Sequence, residues 1–240
     1  MTIDLQIIVL GTTKYSDSSL ILHTYTKEYG RLSIMLKGVR NAKKGSIRTA
    51  LFQPLNCLDT VVDYKPKREL QYLKEAKIHT VYNSLHRDFA KSSVVLFLSE
   101  VLGQLLREEY AENEPLYTYI TQAFTWFDDE EKAPNFHLKF LMELTKFLGV
   151  YPNFMEPKTG FFDLDAAAYV QQQPVENFIS GELLKHWEAL HRSSFDTISE
   201  LSFNQQIRLG LLSQIIVYYR LHLQNFKEPK SLAVLHGLFQ

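Results

Sequence analysis

Hydrophobic and polar positions change period once along this chain, near residue 80. Before that point the period is two. Leu5, Ile7 and Val9 alternate with Gln6 and Ile8 toward Gly11, as in a half-buried strand. Leu20 to Thr26 is rich in β-branched and aromatic residues, and Leu32, Ile34 and Leu36 alternate with Ser33, Met35 and Lys37. Leu55 to Tyr64 and Glu69 to Thr80 read as further strands. Turn formers separate these runs at Ser16-Asp17-Ser18, Tyr29-Gly30, Gly45-Ser46 and Lys65-Pro66-Lys67. About five short strands in so short a span predict a small closed or partly open barrel, and the OB-fold is the commonest of this size.

From about residue 84 the period lengthens to that of a helix. Val94, Leu98, Val101, Leu102 and Leu105 share one face, as do Phe136, Phe140, Leu144, Phe147 and Leu148. The strongest stripe is Leu211, Leu212, Ile215, Ile216, Tyr219, Leu223 and Phe226. Ser202-Phe203-Asn204-Gln205 before it has the capping-box pattern. Asn113-Glu114-Pro115 predicts a helix start, and Leu183 to Leu190 and Ser231 to Phe239 predict shorter helices. Residues 149–178 fit neither period. Gly149, Pro152, Pro157, Gly160 and Pro174 punctuate them, and Phe161, Phe162 and Tyr169 suggest a hairpin or packed loop. The expected class is α+β. An N-terminal OB-fold barrel at 1–80 precedes an α-helical bundle at 81–240, with an irregular insertion at 149–178.

Composition permits a packed core, with 45% hydrophobic and 22% charged residues. Charge is divided unevenly. Residues 1–80 hold 13 Lys+Arg against 7 Asp+Glu, and residues 81–240 hold 13 against 20. The whole-chain net charge of −1 hides a basic first part and an acidic second part. A basic block on a neutral chain is the footprint of a polyanion partner, most often nucleic acid. Lys37, Arg40, Lys43, Lys44 and Arg48 fall in one stretch that includes Gly38 and Gly45, and Lys65, Lys67 and Arg68 surround Pro66. Barrel loops can hold such cations at phosphate spacing, while exposed rings stack bases. Tyr15, Tyr25, Tyr29, Tyr64 and Tyr72 are the candidate rings. The bland alternative is a solvated basic loop with tyrosines in the core. No helix carries basic and amide residues on one face, so base-specific reading is not expected.

Other chemistry finds little support. No apolar run reaches the ~18–20 residues that span a bilayer, and Met1-Thr2-Ile3-Asp4 lacks the basic start of a signal peptide. A cytoplasmic protein is expected. The one cysteine, Cys57, excludes an internal disulfide and reads as core. His186 and His191 are five apart, not the four of a helical zinc motif. Asp128-Asp129-Glu130-Glu131 reads as solvated surface closing a helix, and Asp163 and Asp165 have no evident third ligand. There is no phosphate-binding loop, nucleophile elbow or dinucleotide fingerprint. No enzyme is expected.

Three stretches resemble the RecO family of DNA repair and recombination-mediator proteins. The first is Tyr15-Ser16-Asp17-Ser18-Ser19-Leu20-Ile21-Leu22 with Thr24-Tyr25-Thr26-Lys27-Glu28-Tyr29-Gly30-Arg31-Leu32-Ser33. The second is Lys37-Gly38-Val39-Arg40 with Lys43-Lys44-Gly45-Ser46, similar to the family's Lys-Gly-Ala-Arg loop. The third is Pro229-Lys230-Ser231-Leu232-Ala233-Val234-Leu235-His236. The resemblance implies binding of single- and double-stranded DNA without sequence preference, and annealing of complementary strands. It implies as partners RecR, the acidic C-terminal tail of single-stranded-DNA-binding protein and, indirectly, RecA. It implies no nucleotide cofactor, no membrane, and a cytoplasmic, nucleoid-associated location. Phosphate contacts are then expected at Lys37, Arg40, Lys43, Lys44 and Arg48, supported by Lys14, Arg31, Lys65, Lys67 and Arg68. Lys139, Lys146 and Arg208 are candidate walls for the acidic tail.

One departure stands out. Many family members bind zinc through four cysteines in the helical domain, but 148–174 here contains no cysteine or histidine. Zinc is not expected, and packing by Phe154, Phe161, Phe162 and Tyr169 would replace it. The rival readings are a different OB-fold RNA- or DNA-binding accessory factor and a protein-interaction scaffold.

Overall fold

The computed structural model describes residues 1–37, 49–107, 109–155 and 160–238. The two-residue period becomes five strands: β1 (Thr2–Lys14), β2 (Leu20–Thr26), β3 (Gly30–Leu36), β4 (Cys57–Asp63) and β5 (Leu70–Ile78). They close into a barrel in the order β1-β2-β3-β5-β4. All neighbours are antiparallel except β3 and β5, which run parallel with Ser33 opposite Leu70 and Met35 opposite Tyr72. Strand β1 serves two partners, β4 from Thr2 to Ile8 and β2 from Ile7 to Lys14. A register shift between Val9 and Gly11 bends it, as a bulge does at a barrel corner. Leu5, Ile7, Val9, Leu22, Ile34, Leu36, Leu58 and Val62 point inward and form the barrel core. Each such side chain contributes about 1.5–3 kcal/mol over leaving it in water. Cys57 belongs to the interior as expected, and burial pushes its thiol up.

Contacts divide the chain into two compact units, Met1–Asp129 and Glu130–Gln240. The change of secondary structure near residue 80 therefore falls inside the first unit. That unit also holds α1 (Phe89–Leu105) and α2 (Glu114–Asp129). Helix α1 is apolar on most sides and packs against β1. Asp88 caps it by accepting from the Lys91 amide at 2.8 Å, and Asn113 caps α2 by accepting from Leu116 at 3.1 Å.

The acidic run that closes α2 is not all solvated, as its sequence suggested. Asp128 is buried, and its carboxylate accepts from the backbone amides of Asn83 (2.7 Å), Ser84 (2.7 Å) and Leu85 (2.9 Å). Lys91 Nζ donates to the Ser84 hydroxyl at 2.7 Å and to the Asp128 carbonyl at 2.9 Å. The reason is local. The chain leaves the barrel at 83–85 with three amides that no ladder pairs, and a buried amide needs an acceptor. Asp128 supplies it.

The second unit contains α3 (Phe136–Phe147), strands β6 (Phe161–Asp163), β7 (Ala168–Val170) and β8 (Phe178–Ile179), and helices α4 (Gly181–Arg192), α5 (Gln205–His222) and α6 (Leu232–Leu238). Helices α3, α4 and α5 pack together. Helix α5 starts later than the capping box implies. Asn204, not Ser202, accepts from a first-turn amide, that of Ile207 at 2.9 Å. The preceding Phe203 carbonyl is taken by Arg208 Nη1. The irregular segment is the expected packed hairpin, ordered β7-β6-β8.

Aromatic rings join that hairpin to α4. Phe154 lies 5.7 Å from Phe162 and 3.6 Å, ring on ring, from His191. Phe162 meets Tyr169 edge-on at 5.1 Å and Trp187 at 5.7 Å. Phe161 instead pairs with Phe178 at 5.4 Å, so three of the four named rings share one cluster. Burial and the Lys139 charge hold the His191 imidazole down to about 4. No group of three or more His, Cys, Asp or Glu is placed to hold a metal among the described residues.

Asp128→Asn should lower unfolding free energy by about 3 kcal/mol, since it weakens charge-assisted bonds to buried amides. Burial raises the carboxyl's pKa, but the three amides and the Ser84 hydroxyl outweigh it, so the folded value lies below the ordinary one. This contribution is therefore full above about pH 4 and is lost as pH falls through the folded value. Urea unfolding across pH checks both: the variant should lose stability at pH 7 and show a weaker acid decline.

Candidate nucleic-acid interface

The side chains of a closed barrel that do not fill its core face outward. Arg31, Ser33 and Met35 of β3 alternate with the core positions Ile34 and Leu36, and Leu70 and Tyr72, which pair with Ser33 and Met35, are among the outward positions of β5. Two cations meet over the ring of Tyr72. Lys37 Nζ is 4.3 Å and Arg68 Cζ 4.8 Å from the Tyr72 ring centre. Asp63, opposite Tyr72 in the β4–β5 ladder, holds Arg68 at 3.2 Å. That hydrogen bond to Arg68 keeps the Asp63 carboxyl below the usual range. The loop carrying Arg68 is fixed from inside. Gln71 accepts from the Lys65 amide at 2.9 Å and donates to the Lys65 and Arg68 carbonyls at 3.2 and 2.5 Å. Lys65 and Lys67 stay exposed on the outside of this loop.

Lys37, Lys65, Lys67 and Arg68 are thus brought to one outer surface of β3, β5 and the β4–β5 loop. Lys14 ends β1 and Tyr15 opens the exposed β1–β2 loop, where Lys14 forms a solvated pair with Asp17 at 3.6 Å. These two loops and the outer strand face are where OB barrels bind oligonucleotides. Arg40, Lys43, Lys44 and Arg48 lie outside the described residues.

The tyrosines separate. Tyr15 is exposed. The Tyr72 ring is already engaged by cations. Tyr29 and Tyr64 pair with each other at 4.7 Å and pack on the barrel core. Tyr25 is fully buried, its hydroxyl has no hydrogen-bond partner among the described residues, and burial raises its pKa to about 12. A buried ring cannot stack a base, so Tyr25 leaves the candidates.

Arg31 also departs from the simple expectation of a solvated phosphate contact. It lines a cavity of about 770 Å³ with Leu10, His23, Ser33 and Glu69 of the barrel and Ser99, Glu100, Gly103, Arg107 and Tyr110 beyond it. Burial is the main cause of its lowered pKa. His23 is lowered by burial, then by Arg31 and Arg107. The segment after α1 borders this cavity because Gly30 lets it approach. Arg31 N donates to the Glu109 carbonyl at 2.6 Å, and Asn113 N to that of Lys27 at 3.2 Å. Gly30 has φ of 57°, and a Cβ there would stand 2.1 Å from the Glu109 oxygen. Sequence reasoning missed Arg107 and Tyr110, which lie in the irregular segment after α1, about thirty residues past the last barrel strand.

In the second unit, Lys139 is not a free cationic wall. Its ammonium is buried against Glu143 Oε1 (2.7 Å) and the carbonyls of Leu190 (3.3 Å) and His191 (3.1 Å). It neutralises the end of α4. Lys146 also bonds Glu143, at 2.5 Å, and lies over the Tyr151 ring at 4.8 Å.

Strand order, closure and the following helices make this an OB-type barrel protein of the α+β class. Two family models cover it: Recombination protein O N terminal matches residues 1–82, and Recombination protein O C terminal matches residues 86–232. Relatives named DNA repair protein RecO include that of Phocaeicola vulgatus, 39% identical with 97% of each chain covered. That of Bacteroides fragilis is 38% identical over 97% of each, and that of Christiangramia forsetii is 35% identical over 100% of each. The chain belongs to the RecO family of DNA repair proteins.

Tyr25→Phe removes a buried hydroxyl that bonds nothing among the described residues. It should leave thermal stability unchanged or raised by about 1 kcal/mol, with DNA affinity unaltered. A thermal scan and an oligonucleotide titration check this; lost affinity would return Tyr25 to the interface.

Proposed function

We propose that this chain is a recombination mediator that binds single- and double-stranded DNA without sequence preference and anneals complementary strands. With RecR it helps load RecA onto DNA coated by single-stranded-DNA-binding protein, whose acidic tail it contacts. The observation that carries the reading is the Lys37–Tyr72–Arg68 stack beside exposed Lys65 and Lys67 on the outer barrel face. Family membership supports it.

The physical basis is electrostatic. Two strands repel through their phosphates, and a cationic surface lowers that repulsion while releasing condensed counterions. Lys14, Lys37, Lys65, Lys67 and Arg68 would take phosphates on this face, joined by Arg40, Lys43, Lys44 and Arg48. None of these contacts reads a base edge, so affinity should be even across sequences. The reaction is assembly and exchange of strands, with no catalytic residue or nucleotide cofactor. Its place would be the cytoplasm, at the nucleoid. No helix among the described residues is long and apolar enough to cross a membrane.

The test is the annealing rate of complementary oligonucleotides coated with the cognate single-stranded-DNA-binding protein, with and without its tail. Tail-dependent acceleration is expected. No acceleration would leave a different OB-fold nucleic-acid-binding accessory factor. Reversing Lys65 and Lys67 to Glu should weaken binding on every sequence and reduce the single-strand salt slope by about 1.4, at about 0.7 per phosphate. An unchanged slope would remove both residues from the interface.

A further inference from the structure

The cavity on the outer barrel face differs in character from the cationic surface beside it. Its charged lining is mixed, with Arg31 and Arg107 against Glu69 and Glu100. A bare phosphate would meet as many carboxylates as guanidinium groups. A neutral guest with donors and acceptors on one edge suits such a lining better. The polar fittings include Ser33 and a donor without a partner: Arg31 Nη1 is buried and meets no acceptor among the described residues. Buried donors left unpaired are costly, and a guest that accepts from this one would relieve the cost. Tyr110 adds a large ring at the cavity, and it is 69% exposed.

The size, about 770 Å³, is within the range of small-molecule sites and exceeds what one side chain would fill. Position indicates what would enter. Ser33, in the lining, pairs with Leu70, and two residues on Met35 pairs with Tyr72, the ring under Lys37 and Arg68. The cavity therefore adjoins the phosphate-binding surface on the same strand. A nucleic-acid strand tracking those cations would bring its bases to the cavity.

We propose that this cavity receives unstacked nucleobases of single-stranded DNA, with Tyr110 as stacking ring and Arg31 and Arg107 as donors to base edges. The inference rests on the DNA-binding reading above and deepens it. A base paired inside a duplex cannot leave its stack without cost, whereas a single strand offers its bases freely. The cavity thus gives the chain a preference for single strands that phosphate contacts alone do not supply. Glu69 and Glu100 would accept from exocyclic amino groups, which three of the four bases carry.

Gly103 allows a direct test. It sits in α1 at the lining, and a Cβ added there meets nothing within 4 Å. Gly103→Met would fill open space without disturbing the helix, where methionine is the better former. The experiment measures affinity of the full chain for a mixed-sequence single-stranded oligonucleotide and for its duplex. It compares the unaltered protein with Tyr110→Ala, Tyr110→Phe, Arg107→Ala and Gly103→Met.

Tyr110→Ala, Arg107→Ala and Gly103→Met should each lose about tenfold on the single strand, a loss within the range of one base–aromatic stack. Duplex affinity should stay within about twofold, and Tyr110→Phe should behave as the unaltered chain. Equal losses on both DNAs, or no loss on either, would overturn the cavity proposal while leaving the DNA-binding reading in place. Failure of the unaltered chain to bind either DNA would overturn that reading and the cavity with it.

Discussion

Closure of the barrel is the constraint from which the rest follows. Once β3 pairs in parallel with β5 and β1 pairs with β4, no strand edge is left, and every strand has one inner and one outer face. The inner faces are taken by Leu5, Ile7, Val9, Leu22, Ile34 and their neighbours. Charged residues of the same strands are thereby committed to the outside, at positions set by register, while Thr24, Thr26, Thr60 and Gln71 are buried polar residues. A one-residue slip of β3 against β5 would send Tyr72 inward and dissolve the cationic stack. The interface is therefore a consequence of the core.

The outside is divided in its turn. Asp4, Glu28, Asp59 and Glu75 line a groove formed with β1, β4 and β5, while Lys37, Arg68, Lys65 and Lys67 gather at β3, β5 and the β4–β5 loop. Among the described residues a cationic cluster and a mainly acidic groove, which Lys77 also lines, thus occupy different parts of the barrel surface. Such polarity orients a polyanion on approach as well as attracting it. Helix α1 takes up outer surface at β1, and Asp128 ties the end of α2 to the chain leaving the barrel. These contacts give the OB unit a helical flank, and the cavity of Arg31 and Tyr110 lies along it.

The alternation of Leu5, Ile7 and Val9 and of Leu32, Ile34 and Leu36 was enough to place strands within a few residues, because one buried face imposes the period. The helical stripes were legible for the same reason. What the pattern concealed is long-range. Tyr25 and Arg31 sit opposite each other on β2 and β3, in positions that read as solvent-facing. Their burial depends on cover that is distant in sequence, with Glu109 bonded to the backbone of Arg31. Asp128 read as surface because its acidic neighbours are hydrophilic, and the three amides it serves lie more than forty residues earlier. Lys65, Lys67 and Arg68 were legible as a cluster; their meeting with Lys37 over Tyr72 needed the parallel pairing, which no local pattern announces. The absence of cysteine and histidine from 148–174 was plain in the sequence, as was the aromatic material, and the structure joins Phe154, Phe162 and Tyr169 with Trp187 and His191 from α4.

The central claim is that phosphate neutralisation by one cationic barrel face carries DNA binding. The most direct measurement is the slope of log affinity against log salt for the unaltered chain on single strands of differing sequence. Nine phosphate contacts predict a slope of about −6.3, at about −0.7 each, the same for every sequence. A slope near zero, or one that changes with sequence, would contradict the account.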